Sequence, residues 1–176
     1  GYAFPLGFLV FFVLLALGGV QQQWLIGLLA AWFLVNGVIA AALARVAGAH
    51  WTSAGVGGAV AWLTSVNPLL APGWFAGYVE LRYMDVNVAD ISRLNDILDD
   101  EEAPLGELFE RMREVPLFRL ILIVAMTNIG SIIASAGFAA ILLPAFAGDV
   151  GGLAGLADLM LEGAANGADL LWGLLP

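Results

Sequence analysis

The sequence contains no cysteine, no lysine and a single histidine, His50. Without thiols there are no disulfides, no thiolate metal sites and no cysteine nucleophile. One imidazole leaves no histidine cluster for zinc, so neither a metal nor another cofactor is expected. Charge of either sign is scarce. Charged residues make up 12% of the 176, about half the share of an ordinary soluble domain, which excludes a conventional soluble globule. The six cations, all arginine, stand against fifteen carboxylates for a net charge of −9. That argues against nucleic acid as a partner, since phosphates call for clustered cations. Pro and Gly number 7 and 22 but are scattered through apolar runs, so low-complexity disorder and a collagen-like repeat are excluded as well.

What is present is hydrophobicity. Apolar residues account for 61% of the chain, and the pattern predicts an all-α, polytopic helical membrane domain spanning residues 1–176. Five or six membrane-inserted segments are expected, one of them broken or re-entrant, together with a short extramembrane helical hairpin. Carboxylates in excess and an absence of Lys suit a surface bathed in concentrated salt, so the expected location is the cell membrane of a halophilic archaeon. Retention of helicity in low salt, read by circular dichroism, counts against that source. Gly1 in first position, with no basic region ahead of the first apolar run, reads as an internal fragment or processed product and not as a secretory signal.

Residues 4–44 form a predicted transmembrane hairpin, two uncharged arms separated by Gln21, Gln22 and Gln23, with Trp24 at an interface. Residues 51–79 are uncharged but contain Asn67-Pro68 and then Pro72-Gly73, so the helix is expected to break near Asn67 and restart within residues 68–74. Thr64, Ser65 and Asn67 are available to satisfy the freed backbone groups. If Arg45 and the arginines from Arg82 to Arg119 share one side of the membrane, this segment enters and leaves on that side. Eleven of the fifteen carboxylates and five of the six arginines lie in residues 80–119. Within them, residues 85–115 carry two amphipathic faces, Ile91, Leu94, Ile97 and Leu98, then Leu105, Leu108, Phe109 and Met112. These predict an acidic helical hairpin turning at residues 99–102, with Pro104 in the first turn of its second helix. Residues 117–145 are the next transmembrane helix, ended or bent by Pro144. Residues 153–175 form an amphipathic or transmembrane helix with Asp158, Glu162 and Asp169 on one stripe.

The break at Asn67 and Pro68, with Gly73, Trp74, Gly77 and Glu80 after it, is the leading candidate for a binding site, because broken helices at bilayer depth expose dipole ends; the plainer reading is a packing kink. Small or polar residues recur every four positions as Asn36, Ala40, Ala44, Gly48 and as Thr127, Ser131, Ser135, Ala139, a pattern for close helix packing within or between subunits. Asn128, beside the second stripe, needs a partner, either Asn36 or a carbonyl freed near Asn67. Glu80 with Arg82 reads as a gate or an interfacial pair, and the carboxylates of the last helix as a pore lining or a solvated face. The turn at residues 99–102 lacks the ligand spacing and glycine of a calcium loop. No catalytic residue is expected. His50 and Ser53 lie three apart with nothing to orient the imidazole, and the span from Leu120 on holds no carboxylate pair.

The run Leu63-Thr64-Ser65-Val66-Asn67-Pro68-Leu69-Leu70, followed by Gly73-Trp74-Phe75-Ala76-Gly77-Tyr78-Val79-Glu80, resembles the C-terminal membrane region of the TraB/PrgY (pheromone shutdown) family. A Val-x-Asp segment at Val88 to Asp90, a Leu-rich polar helix, Phe118-Arg119 opening a span, and Asn128-Ile129-Gly130-Ser131 within it follow in the same order. The likeness runs from about residue 62 to 135. The Lys-free acidic hairpin departs from a more basic family pattern, which salt adaptation explains. The resemblance implies that the motifs proposed for catalysis sit in an N-terminal soluble domain similar to Tiki-type metalloproteases, none of whose positions occur in this chain. What it implies for these residues is a non-catalytic module that anchors that domain in the bilayer and forms a homo-oligomer, in a protein that inactivates peptide signals. The alternative is a small-ion channel or transporter built around the Asn67-Pro68 break.

Overall fold

The computed structural model describes residues 3–63, 70–100 and 102–174. Among them the fold is entirely helical, with α1 (Ala3–Leu17), α2 (Gln22–Val46), α3 (Trp51–Val60), α4 (Pro72–Glu80), α5 (Ala89–Leu98), α6 (Leu105–Glu114), α7 (Pro116–Gly148) and α8 (Gly152–Gly173). Among the described residues only α2 and α7, of 25 and 33 residues, are long and apolar enough to cross a membrane. This corrects the expectation of five or six inserted segments. At about 1.5 Å per residue, α3 and α4 reach only about half of a 30 Å hydrocarbon core. The 15 residues of α1 fall short too, and α8 carries Asp158, Glu162 and Asp169 on its exposed surface.

The two long helices pack against each other through the small residues of both stripes. Asn36, Ala40 and Ala44 of α2 are buried, as are Thr127, Gly130, Ser131 and Ala134 of α7. A Cβ on Gly130 would stand 2.7 Å from Ala40 Cα, so the glycine is what lets the backbones approach. Against this pair lies the α3–α4 hairpin, and its core is made largely of Ala47, Ala49, Ala54, Ala76 and Ile123. A second apolar cluster, Leu15, Val20 and Leu25 with Leu159 and Met160, joins α1 and α8 to the start of α2. Gly163 and Gly167 form the α1–α8 seam, where a Cβ on Gly167 would overlap the Leu14 carbonyl oxygen.

Pro144 does not end α7. The helix runs through it to Gly148, preceded by a π-helical turn at Phe138–Leu142. Proline lacks the N–H for the i→i−4 bond and clashes with that carbonyl, and a widened turn just ahead absorbs both defects. In the preceding uncharged run a helix, α4, begins at Pro72, within the expected residues 68–74. The α3 helix stops at Val60, ahead of Asn67, while residues 64–69, including Asn67 and Pro68, lie outside the described residues. Pro104 occupies the N-cap of α6 and not its first turn.

The α5–α6 hairpin is fixed to α7 by Asp90. This fully buried carboxylate accepts the backbone N–H of Asn87 and of Leu117, both at 3.3 Å. Leu117 is in the first turn of α7, where N–H groups lack helical partners and the helix dipole favours an anion. Phe109 packs edge-on against Phe118, ring centroids 5.8 Å apart. The faces of α5 and α6 are covered only in part, since Ile91, Leu98, Leu105 and Phe109 remain exposed.

Candidate functional site

The chain turns from α2 into α3 through Gly48, whose φ of +94° suits a residue without Cβ. His50 then caps α3 with extended backbone, φ −62° and ψ 153°, its Nδ1 accepting the N–H of Thr52 at 3.3 Å. The backbone N–H of His50 is donated to Glu80 Oε2 at 2.8 Å. In a capping box that N–H would go to a carboxylate three residues on, within the same helix; that position here is Ser53, and Glu80 from the end of α4 supplies the acceptor instead. Glu80 is 1% exposed. A carboxylate so deeply buried requires compensation, which the charge-assisted bond and the positive end of α3 provide. The two ends of residues 50–80 are thereby tied together.

The His50 ring stacks on Tyr83, centroids 3.9 Å apart and planes 15° apart. Thr52 Oγ1 lies 2.9 Å from His50 Nδ1 and donates to the Tyr83 hydroxyl at 2.8 Å. The imidazole is thus engaged by Thr52 and Tyr83. Ser53 is buried, and its hydroxyl has no hydrogen-bond partner among the described residues, so the two do not form a nucleophile and base. Arg45 donates to the Ala49 carbonyl and lies over the Trp51 ring, 4.3 Å from its centroid. Arg119, from the start of α7, donates to the Gly48 carbonyl. Glu80 and Arg82 do not pair: Glu80 turns to His50, and Arg82 is exposed.

Halfway along α2 and α7 lies a second polar group. Asn36 Oδ1 accepts from Ser135 Oγ at 3.0 Å and lies 3.5 Å from Ser131 Oγ, while its Nδ2 donates to the Trp32 carbonyl at 3.0 Å. Ser131 Oγ also donates to the Ala61 carbonyl at 3.1 Å, satisfying backbone where α3 has ended. Asn128 takes the N–H of Gly73 at 2.8 Å, capping α4 from across the interface. Among the described residues its partner is this N-terminal N–H and not Asn36; the carbonyls near Asn67 lie outside them. Thr127 bonds back to Ile123 O in its own helix at 2.6 Å. Gly77 packs against Val124 and Leu120, whereas Trp74 is exposed. A cleft of about 330 Å³ is lined by Leu9, Phe12, Leu29, Trp32, Phe33 and Trp62.

Sequence reasoning missed the capping roles of His50 and Asp90 and the Gly163–Gly167 pair on α8. The last was visible as a Gly-x-x-x-Gly spacing; the caps were not, because their partners lie 30 and 27 residues away. Among the described residues no three His, Asp or Glu side chains converge as metal ligands. Asp158 and Glu162 line an open depression with Gly18 and Gly19 at the opposite end of the bundle.

Comparison with known families matches the chain to the TraB family protein C-terminal domain over residues 1–147. The match extends across α1 and α2, where the sequence alone agrees only in hydropathy. No curated protein matches the chain, and no solved structure does.

Proposed function

Because this chain belongs to the TraB family, as its C-terminal domain, we propose that it is a membrane-embedded, non-catalytic module that anchors a TraB-like soluble domain acting on peptide signals. One observation carries the reading. The α3–α4 segment begins and ends at one place, tied by His50 and Glu80, while Ala61 near its tip meets Ser131 midway along the two membrane-length helices. That is a re-entrant hairpin in a bilayer, where backbone groups freed at depth need protein partners. The exterior agrees with lipid as solvent: only 22% and 28% of the most apolar windows of α2 and α7 are buried, leaving Ile26, Leu34, Val38, Ile121, Ile132 and Ile141 on the outside. A groove lined by Gly37, Ala41, Gly55, Gly58 and Ala59 supports self-association, as small residues permit close helix approach.

Cysteine accessibility in this Cys-free chain tests the topology. Val46→Cys and Asp99→Cys are expected to react from one side of sealed vesicles and Gln22→Cys from the other. Reaction of the first two from opposite sides overturns the re-entrant reading, and a monodisperse folded protein in detergent-free buffer overturns the membrane reading altogether. A small-ion pathway is the second reading, favoured by the buried carboxylate of Glu80 beside the mouth of the hairpin. Ion flux in liposomes that disappears in Glu80→Ala would support it. The mutual bonding of Asn36, Ser131 and Ser135 leaves little polar surface for a path and supports the anchor.

A further inference from the structure

The six arginines divide into two sets. Arg93, Arg111 and Arg113 lie on the α5–α6 hairpin, and each is ion-paired there, with Asp90, Asp100 and Glu110 respectively. Arg45, Arg82 and Arg119 lie at the hairpin mouth, and among the described residues none of them has a carboxylate at ion-pairing distance. In a chain with fifteen carboxylates this is a segregation of charge, and two of the unpaired cations are also fixed in place. Arg45 is held by the Ala49 carbonyl and the Trp51 ring, Arg119 by the Gly48 carbonyl. Two guanidinium groups are thus set on consecutive carbonyls of one loop, each with further N–H donors to give. Glu80, the buried carboxylate of the mouth, is turned to the His50 backbone and does not neutralise them. His50, whose Nδ1 accepts the N–H of Thr52, is exposed at the same place.

We propose that Arg45 and Arg119 form a phosphate-binding site at the mouth of the re-entrant hairpin, its ligand the phosphate of a lipid head group or of a soluble phosphate. Guanidinium forks suit phosphate oxygens better than any other side chain. Trp51, 71% exposed beside Arg45, is the residue type that settles at the level of lipid head groups. The site rests on the membrane reading only for its lipid source; that reading is tested separately by the solubility of the protein without detergent.

The protein in a nonionic detergent is titrated with dioctanoyl phosphatidylglycerol and, separately, with inorganic phosphate, both followed by calorimetry. R45Q/R119Q is expected to weaken binding by about tenfold or more, whereas Arg93→Gln leaves it unchanged. Binding of the phospholipid without competition from inorganic phosphate identifies the head group as the source; competition identifies soluble phosphate. Should the double variant lose its helical circular dichroism, Arg119→Gln alone, with Arg45 still on Trp51, is expected to lose about tenfold. Equal affinity of the wild type and a folded variant for both probes, or no binding of either, overturns the site.

Discussion

Replacing Gly73 with valine is expected to lower the thermal unfolding midpoint in detergent by about 10 °C, followed by circular dichroism. A Cβ at this position overlaps the Val124 carbonyl oxygen and stands 2.8 Å from Asn128 Oδ1. Neither obstacle can yield. Val124 O belongs to the backbone of α7, and Asn128 is the group that holds the Gly73 N–H. The half-helix must therefore lift off α7, with an overpacking cost of about 1–3 kcal/mol and the loss of a buried hydrogen bond at about 1–3 kcal/mol more. In a chain of this length each kcal/mol is worth about 2–4 °C. Gly77→Ala meets Val124 Cγ2 at 2.6 Å, a side-chain atom that can rotate aside, so its effect is expected to be smaller. Gly106→Ala, in the exposed α6 with nothing within 4 Å, is expected to leave the midpoint unchanged or raise it. Equal midpoints for Gly73→Val and Gly106→Ala would contradict the packing described.

Glu80→Ala is expected to destabilise the fold by about 2–4 kcal/mol, and Glu80→Gln by about 1 kcal/mol or less. Alanine leaves the His50 N–H buried without an acceptor and opens a void where a 1%-exposed side chain stood. Glutamine keeps an amide oxygen for the same N–H and gives up only the charge assistance. Amide hydrogen exchange over residues 50–54 should separate the two, with protection lost in the alanine variant and retained in the glutamine variant. If both variants lose protection equally, the negative charge and not the hydrogen bond is what holds the mouth closed.

Much of the architecture was legible because long apolar helices advertise themselves. The uncharged runs around α2 and α7 marked the two long helices, and the i, i+3, i+4 spacing of Leu105, Leu108, Phe109 and Met112 marked α6. The stripes containing Asn36 and Ser131 marked where α2 and α7 meet. Counting crossings from hydropathy failed for a physical reason: the first apolar run yields a helix of only 15 residues, the last helix carries Asp158, Glu162 and Asp169 on its exposed surface, and the helices of residues 51–79, where a break was expected, are too short to cross. Pro144 was read as ending or bending the helix, and of these the ending does not occur: a proline inside a helix can terminate it or be absorbed by a local change of winding, and periodicity does not distinguish them.

The mouth of the hairpin was read only in part. Glu80 stood out as a carboxylate at the end of an apolar run, yet Arg82, two residues on, was the partner that spacing offered. The actual partner is a backbone N–H thirty residues earlier, and backbone donors carry no signature in a sequence. His50 was weighed as a base for Ser53, three residues away, when the same spacing places it at the N-cap with Ser53 on the buried face of α3. The pair was set aside for want of a group to orient the imidazole, and helix capping is the role that the histidine has, with the serine in the interior.

The widened winding at Phe138–Leu142 has a consequence for the far end of the bundle. One residue more than the α-helical repeat turns everything downstream by about 100° about the axis. In that phase Phe146 meets Trp24 edge-on at 6.4 Å, and its carbonyl receives the indole N–H at 3.4 Å. The surplus residue therefore works as a vernier, setting the azimuth at which the last two turns of α7 close onto the start of α2 and hand the chain on to α8.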